Sequence, residues 1–407
     1  MGAACLGSMQ AILVILPFLA RQRFGATNWQ TTILTAAVPV TQFFTIFWNH
    51  VYARVRLRSY FGLLALTACV PVALIGQAAN VWQLILYFVL AALGGAGNTS
   101  AMSPINADLL RVCYAEGARG KALGIVSAAQ FAAAMAAGQL IGIWSDHDRN
   151  AYRYYFPVIA GLMLTALGLY ARICLSPAFR SRSRPIVAAN TSWWTPLTDM
   201  TRILREDRRF AGYEAAFMSY GIGWMICTAL VPAIATDRMR LNYTSFAQAT
   251  VVAYQLTNIL MLAPMGRVSD CIGPMRLAAG SFMWLAIYPI GLLFAPNGGW
   301  LGVFSVLYAM GMVGVQLTWT LGPVSLAGEP SKASHYLAIH GTMVGVRGIV
   351  AQGLGMALYS LTGSFVIPLF MAAAGFLWAS WRMRQLAREA QMPPAHAVFP
   401  VFVEPND

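Results

Sequence analysis

Long apolar stretches alternate with short polar segments along the whole chain, and this alternation limits the possible folds more than any other feature. Of the 407 residues, 58% are hydrophobic and 10% are charged, and the mean hydropathy is +0.61. A soluble protein of this length could not bury so much apolar surface in its core. The composition therefore predicts a polytopic membrane protein.

A helix needs about 20 apolar residues to cross a bilayer, and this length predicts twelve transmembrane helices in the chain. We place them at about 3–20, 30–49, 60–79, 82–104, 121–143 and 154–174, and then at about 210–233, 246–265, 277–295, 299–323, 335–358 and 364–382. This divides the chain into a six-helix bundle at 1–174, a linker at 175–209, a second six-helix bundle at 210–384 and a disordered tail at 385–407. The expected fold class is an all-α membrane protein.

The basic residues predict the orientation of these spans. If both termini are cytoplasmic, 20 of the 27 Lys and Arg residues lie on the cytoplasmic side, six lie on the other side and one lies within a span. Such an asymmetry is typical of cytoplasmic loops. The net charge of +13 therefore reflects membrane orientation, and we expect no nucleic acid partner. We expect a multi-pass protein of a bacterial inner membrane.

Several classes of protein are disfavoured by missing motifs. The six cysteines are scattered without a C-x-x-C pair, so we expect neither a metal site nor a disulfide framework. The spans contain no H-E-x-x-H, no G-x-S-x-G and no paired aspartates, which are patterns that intramembrane enzymes would need. We expect no enzymatic activity and no cofactor.

One charged segment between two predicted spans carries a specific motif. Its sequence is GRVSDCIGPMR, and its spacing is G-x-x-x-D-x-x-G-x-x-R, formed by Gly266, Asp270, Gly273 and Arg276. The segment resembles the cytoplasmic loop between the second and third helices of each half of a major facilitator superfamily transporter. We expect Gly266 to allow close helix packing and Gly273 to adopt a turn with positive φ. Asp270 would pair with a helix N-terminus or a cation, and Arg276 would hold this gating loop in the headgroup region.

The corresponding segment of the first half keeps only part of this motif. Arg58 ends it 218 residues before Arg276, but Trp48 and Tyr52 stand where the glycine and the aspartate are expected. Two related halves are typical of this family's fold. The resemblance implies two pseudo-symmetric six-helix bundles that work by alternating access, with one intact gating loop.

Three glycines follow one another at short spacing on the eleventh predicted span: Gly341, Gly345 and Gly348. Small residues at such spacing let helices approach closely in membranes. We therefore predict that this span packs closely against a neighbouring helix.

Charged or titratable residues inside spans usually face a cavity or a partner, since a charge in hydrocarbon is costly. Arg347 lies about twelve residues into the eleventh span and His340 lies seven residues earlier, on the same helical face. Arg347 is either an anion contact or a brace bonded to helix carbonyls. Glu214 on the seventh span is either a protonatable coupling group, because burial disfavours its charged form, or a partner for a basic residue. His340 is either a proton relay or a packing histidine.

In the family that the motif resembles, the first, fourth, seventh and tenth spans line the central cavity. The resemblance therefore implies a set of polar and aromatic cavity residues on these spans: Gln10, Asn98, Thr99, Tyr220, Trp224, Gln316, Thr318 and Trp319. Asn258 on the eighth span is a secondary candidate. Each of these could instead form a hydrogen bond between helices. As a set they indicate a cavity that is polar, aromatic and low in charge.

The expected function is secondary active transport of a small organic solute, coupled to protons through Glu214 or His340. The expected partners are a small-molecule substrate, protons and the lipid bilayer, and we expect a monomer. One alternative is efflux of amphipathic or drug-like compounds by the same fold. An alternative of another class is a membrane sensor or scaffold that transports nothing.

Overall fold

The computed structural model describes residues 1–96, 100–114, 116–180, 195–327 and 330–389, and the regular structure within these ranges is helical. The first half contains α1 (Gly2–Phe24), α2 (Asn28–Thr41), α3 (Thr45–Arg54), α4 (Leu57–Leu64), α5 (Val70–Ile75), α6 (Val81–Leu93), α7 (Ser103–Cys113), α8 (Glu116–His147) and α9 (Tyr152–Cys174). Two helices follow, α10 (Pro177–Arg180) and α11 (Thr195–Glu206). The second half contains α12 (Arg208–Ala233), α13 (Tyr243–Ala247), α14 (Ala253–Ile272), α15 (Pro274–Leu285), α16 (Ile287–Phe294), α17 (Gly298–Leu326), α18 (Pro330–Thr362) and α19 (Val366–Glu389).

The described residues form ten helices that are long and apolar enough to cross a membrane, and a bent pair forms an eleventh span. The bend of 52° separates Asn28–Phe44 from Phe47–Arg54. α6 is a shorter apolar helix within the fourth predicted span, part of which lies outside the described residues. The all-helical membrane fold is confirmed, and the arrangement is compatible with twelve spans. Residues 181–194 of the predicted linker and 390–407 of the predicted tail lie outside the described ranges.

Short polar side chains begin several of these helices. Asn80, Asn242 and Asn297 each accept a hydrogen bond from the backbone N–H three residues later, at the first turns of α6, α13 and α17. The first N–H groups of a helix have no partner within the helix, so a side-chain acceptor stabilises the start. These caps determine where the chain leaves a connecting segment and enters an apolar helix.

Each half of the chain builds its own hydrophobic cluster. One cluster joins mainly residues of α1 to α9 and also contains Ala247 and Val251 of the second half, and the other joins mainly residues of α12 to α19. Phe18 of α1 belongs to the second cluster because its ring stacks on that of Phe246, with centroids 4.1 Å apart. The two clusters agree with two bundles that touch, while the exact domain limits stay a prediction.

The predicted gating loop is mostly helical. Residues Gly266 to Ile272 continue α14, and the turn between α14 and α15 is made by Gly273 alone, at φ 82°. The positive φ of Gly273 is therefore confirmed. The prediction of an eleven-residue loop was wrong, because hydropathy falls where α14 reaches the membrane surface although its backbone hydrogen bonding continues.

At one end of the bundle, polar side chains join the two halves; we call it the closed end and define it by Arg21, Asp146, Asp237 and Tyr243. Arg21 forms an ion pair with Asp237 across the halves. The carboxylate of Asp146 accepts hydrogen bonds of 2.8 Å from the backbone N–H groups of Tyr243 and Thr244 at the start of α13. In the predicted orientation the closed end faces away from the cytoplasm.

α18 also packs tightly against α2 of the other half. A Cβ atom on Gly345 would lie 2.7–2.9 Å from the backbone and Cβ of Phe43, and one on Gly348 would lie 2.7 Å from Pro39. No atom lies within 4 Å of the Cβ position of Gly341. The predicted close packing is confirmed at two of the three glycines, and the partner is α2.

This packing predicts that Gly345→Val destabilises the protein by about 1–3 kcal/mol, because the added side chain collides with rigid backbone. The measurement is thermal unfolding of the purified protein in detergent. Gly353→Val on the same helix is the matched control, since no neighbouring atom lies within 4 Å of its Cβ position. Equal melting temperatures for the two variants would contradict the tight contact between α18 and α2.

Candidate functional site

Glu214 of α12 and His340 of α18 form a buried pair. Glu214 Oε1 lies 2.8 Å from His340 Nδ1, and the two side chains are 3% and 1% exposed. The rings of Phe217, Trp319 and Tyr213 surround the imidazole at centroid distances of 4.8, 5.1 and 5.7 Å. The carboxyl group and the imidazole are thereby almost entirely removed from water.

The pair has unused hydrogen-bonding capacity. Glu214 Oε2 and His340 Nε2 are buried, and within the described structure neither has a hydrogen-bond partner. A buried polar atom without a partner is costly, and such atoms are rare unless a function maintains them. Oε1 and Nδ1 are engaged with each other, so Oε2 and Nε2 are the atoms of the pair that can bind a further group.

Arg347 of α18 lies beside this pair and is bound to α12. Its Nη1 donates to the carbonyl oxygen of Phe217, and its guanidinium carbon lies 5.5 Å from the ring centroid of Tyr220 and 5.9 Å from that of Trp224. Arg347 is 3% exposed, and its Nε has no hydrogen-bond partner among the described atoms. A carbonyl and two aromatic faces are favourable partners for a buried cation. These contacts agree with the bracing alternative for this arginine.

Gly221 provides the space for that guanidinium, and sequence reasoning missed this residue. A Cβ atom at Gly221 would lie 2.2 Å from Cζ and Nε of Arg347. A glycine within an apolar span is an unspecific signal. Its role becomes visible only when α18 is packed against α12.

The charged groups occupy different depths in the membrane. Glu214 lies six residues after the start of α12, or about 9 Å along the helix, close to the predicted cytoplasmic end. Arg347 follows His340 by seven residues on α18, or about 10 Å nearer to the middle of the membrane. Along the membrane normal, the site therefore begins with the buried pair of Glu214 and His340 and continues to the buried cation of Arg347.

Beyond the cation, a cavity of about 230 Å³ lies between the two halves of the chain. Its walls come from α1, α2, α12, α16, α17 and the segment from α13 to α14, through Leu13, Val14, Pro17, Thr35, Trp224, Thr228, Val231, Pro232, Phe246, Thr250, Tyr254, Tyr288, Ser305 and Tyr308. Trp224 belongs both to this wall and to the surroundings of Arg347. The lining is aromatic and uncharged, but it is mostly apolar, whereas the sequence predicted a polar cavity.

The predicted cavity residues are distributed between the cavity wall and the helix contacts. Trp224 lines the cavity, and Tyr220 stacks on Phe282 at a centroid distance of 4.8 Å and covers Arg347. Trp319 packs on His340 and is 36% exposed. Asn98 and Thr99 lie outside the described residues.

Four further polar candidates are explained by their surroundings. The Thr318 hydroxyl is fully buried and donates to carbonyls of its own helix, so its polarity is satisfied locally. Asn258 donates its amide to the Tyr254 carbonyl at 2.8 Å. Gln316 is exposed and interacts with the Tyr254 side chain, and Gln10 is half-buried on α1. None of these four lines the cavity as the described residues define it.

Sequence reasoning missed the tyrosines and threonines of the cavity wall. Tyr254, Tyr288 and Tyr308 form a connected group, with centroids 5.6 and 4.4 Å from Tyr308 to the other two. The signal was a set of tyrosines deep within apolar spans, with Tyr254 and Tyr288 on the eighth and ninth spans, outside the expected lining set, and Tyr308 on the tenth, inside it. Only the packing of these helices brings the three rings to one place.

The charged gating residues point to the surface in this conformation. Asp270 and Arg276 are exposed, and Asp270 forms no hydrogen bond or ion pair with the described residues. No described atom lies within 4 Å of the Cβ position of Gly266, so the close approach predicted for this glycine is not found. Arg58 and Arg276 are both exposed in the first turns of α4 and α15, as a repeat would require.

The first-half segment has contacts of its own. Tyr52, which stands where the aspartate was expected, donates its hydroxyl to Asp108 Oδ2 of α7 at 2.7 Å. Trp48, which stands where the glycine was expected, donates Nε1 to the Leu93 carbonyl at 2.9 Å. The two residues that depart from the motif therefore connect α3 to α6 and α7.

The contact between Gly221 and Arg347 predicts strong coupling between two substitutions. Gly221→Ala should destabilise the protein by about 1–3 kcal/mol, because the methyl group occupies the place of the guanidinium. In an Arg347→Ala background the same substitution should cost much less, since the place is then empty. The measurement is thermal unfolding of all four proteins, with Gly280→Ala as control because no atom lies within 4 Å of its Cβ position. Additive effects would show that Gly221 does not accommodate Arg347.

Comparisons with known proteins agree with this architecture. A family model described as Major Facilitator Superfamily matches residues 1–351. No curated protein matches the chain significantly. A solved POT family transporter in complex with a thioalcohol-conjugated peptide has a TM-score of 0.70 and 11% sequence identity, covering 96% of this chain and 96% of that chain.

Two further solved structures are similar. A peptide transporter POT in complex with sulfate has a TM-score of 0.72 and 12% identity, covering 95% of this chain and 93% of that chain. The nucleoside transporter NupG has a TM-score of 0.68 and 11% identity, covering 95% of this chain and 98% of that chain. At these identities the likeness establishes the fold and leaves the substrate open.

Proposed function

Because this chain belongs to the major facilitator superfamily, we propose that it moves a small organic solute across the membrane by secondary active transport coupled to protons. The observation that carries the proton coupling is the buried pair of Glu214 and His340, 2.8 Å apart. We assign substrate binding to the cavity between the halves and proton binding to this pair.

The charges around the pair support this assignment. With Glu214 ionised, His340 neutral and Arg347 cationic, the buried group has no net charge. One further proton gives it a net positive charge, which is unfavourable in a low-dielectric interior. Binding of that proton is therefore favoured in a conformation that admits water to the pair. Arg347 is close enough to Glu214 for an electrostatic interaction.

The transport cycle that we propose alternates between two arrangements of the halves. The ion pair of Arg21 and Asp237 and the bonds from Asp146 to α13 hold the closed end together, while Asp270 is unpartnered near the opposite end. This pattern supports a conformation that opens toward the predicted cytoplasmic side. In the other arrangement, Asp270 and Arg276 would take part in closing that side.

Arg347 acts in this scheme as a brace between α12 and α18. The Phe217 carbonyl and the faces of Tyr220 and Trp224 already satisfy its charge, which supports this role over direct contact with a substrate anion. We further propose a monomer in a bacterial inner membrane with both termini in the cytoplasm, as the distribution of basic residues favours.

The aromatic cavity also supports the second candidate, efflux of amphipathic or drug-like compounds. Rings of Trp224, Tyr254, Tyr288 and Tyr308 line the space, and such surfaces bind apolar molecules of many shapes. Both candidates use the same proton site, and the direction of transport distinguishes them.

Proton coupling predicts that Glu214→Gln separates two transport activities. The ligand is selected from a metabolite panel by thermal stabilisation. In proteoliposomes the variant should lose ligand accumulation driven by a pH gradient, because a glutamine side chain does not take up and release a proton as a carboxyl group does. Exchange of labelled for unlabelled ligand at equal pH should continue. His340→Gln should likewise lose accumulation and retain exchange.

Glu206→Gln is the matched control, since Glu206 is an exposed carboxylate on α11 outside the buried site. It should retain both activities. Intact accumulation by Glu214→Gln would remove Glu214 from the coupling mechanism. Ligand stabilisation without flux through the unaltered protein would favour the sensor or scaffold alternative.

A further inference from the structure

The threonine hydroxyl groups of the cavity wall all donate within their own helices. Three threonines that line the cavity donate their hydroxyl hydrogens to carbonyls of their own helices: Thr35 to Thr32 at 3.1 Å, Thr228 to Trp224 at 2.9 Å and Thr250 to Phe246 at 2.7 Å. A hydroxyl has one hydrogen to donate and two lone pairs that accept. The threonines can therefore offer only acceptors to a ligand.

Apart from Ser305, the remaining lining is aromatic or aliphatic. Tyr288 and Tyr308 stack at 4.4 Å, and Tyr254 and Trp224 complete a wall of rings. None of the described lining residues is acidic, basic or a histidine. The cavity volume of about 230 Å³ lies below the range of about 300–1,000 Å³ that is usual for drug-sized ligands. Such a space admits a flat molecule of one or two rings.

The cavity disfavours ligands of either charge. An anion would lose its hydration without a cationic contact, because Arg347 lies behind Trp224 and its Nη1 is engaged by Phe217. A cation would approach that same buried guanidinium, and no carboxylate lines the described cavity to offset the repulsion. A net neutral ligand avoids both penalties.

We infer that the cavity binds small, net neutral aromatic molecules that carry N–H or O–H donors, with the donors directed at Thr228 and Thr250. This inference rests on the proposed transport function, for which it names the class of substrate. Rings of the ligand stack on the tyrosines, and its donor replaces water at a threonine oxygen whose hydrogen is already used.

Four compounds with the same bicyclic ring test the inference. Indole is neutral with one N–H donor, 1-methylindole lacks the donor, indole-3-carboxylate is anionic and tryptamine is cationic. Affinity is measured on the purified full-length protein by thermal shift titration. We expect indole to bind about tenfold more tightly than 1-methylindole, the effect of one lost hydrogen bond, and more tightly than both charged compounds.

Variants test the threonine acceptors. Thr228→Val and Thr250→Val keep the side-chain shape and remove the oxygen, so each should weaken indole binding about five- to tenfold and leave 1-methylindole unchanged. Thr165→Val is the matched control, because Thr165 donates in the same way to Gly161 at 2.8 Å but is exposed on α9. It should bind indole like the unaltered protein.

Tighter binding of indole-3-carboxylate or tryptamine than of indole would overturn the inference, and so would equal affinities for indole and 1-methylindole. An equal loss in Thr165→Val and Thr228→Val would also overturn it, since the effect would not come from the cavity. These results are independent of proton coupling. Indole binding that survives without any proton-driven flux contradicts the proposed function alone, whereas proton-driven flux of anions contradicts only this inference.

Discussion

The cost of burying charge in a low-dielectric interior is the constraint on which this structure depends. Glu214, His340 and Arg347 lie on two helices, α12 and α18, and each is almost entirely removed from solvent. Removing one member of such a group would leave the others uncompensated. The two helices must therefore keep a fixed register, and the glycine at 221 and the carbonyl of Phe217 maintain it by receiving the guanidinium.

α18 is the element through which this constraint reaches the other half of the molecule. One face carries His340 and Arg347 toward α12, and another carries Gly345 and Gly348 against α2. The amide of Gln352 adds a 2.9 Å hydrogen bond to the Thr35 carbonyl on α2. α18 therefore carries the buried pair and also contacts both bundles, and in the proposed mechanism this rigid helix couples the pair to movement of the halves.

The cavity residues show how far sequence reasoning extends at this site. The three buried titratable residues were found because a charged or ionisable group within an apolar span is rare and has few explanations. Tyrosine and threonine are common in such spans, so Tyr288 or Thr228 could not be separated from ordinary packing residues. Thr318 illustrates the opposite error. It is a polar residue on an expected lining helix, but its hydroxyl donates to backbone carbonyls of that same helix and does not face the cavity.

The sequence by itself determined the membrane class, the approximate spans, the charge asymmetry, the positive φ of Gly273 and the identity of the buried ionisable residues. These features follow from local composition and from the backbone freedom of glycine, which need no knowledge of distant parts of the chain. Only the tertiary structure decided that Glu214 meets His340, that Gly221 accommodates Arg347 and that Tyr52 binds Asp108. Each of these pairs joins residues far apart in the chain, and helix rotation and depth, which periodicity leaves open, bring them within contact distance.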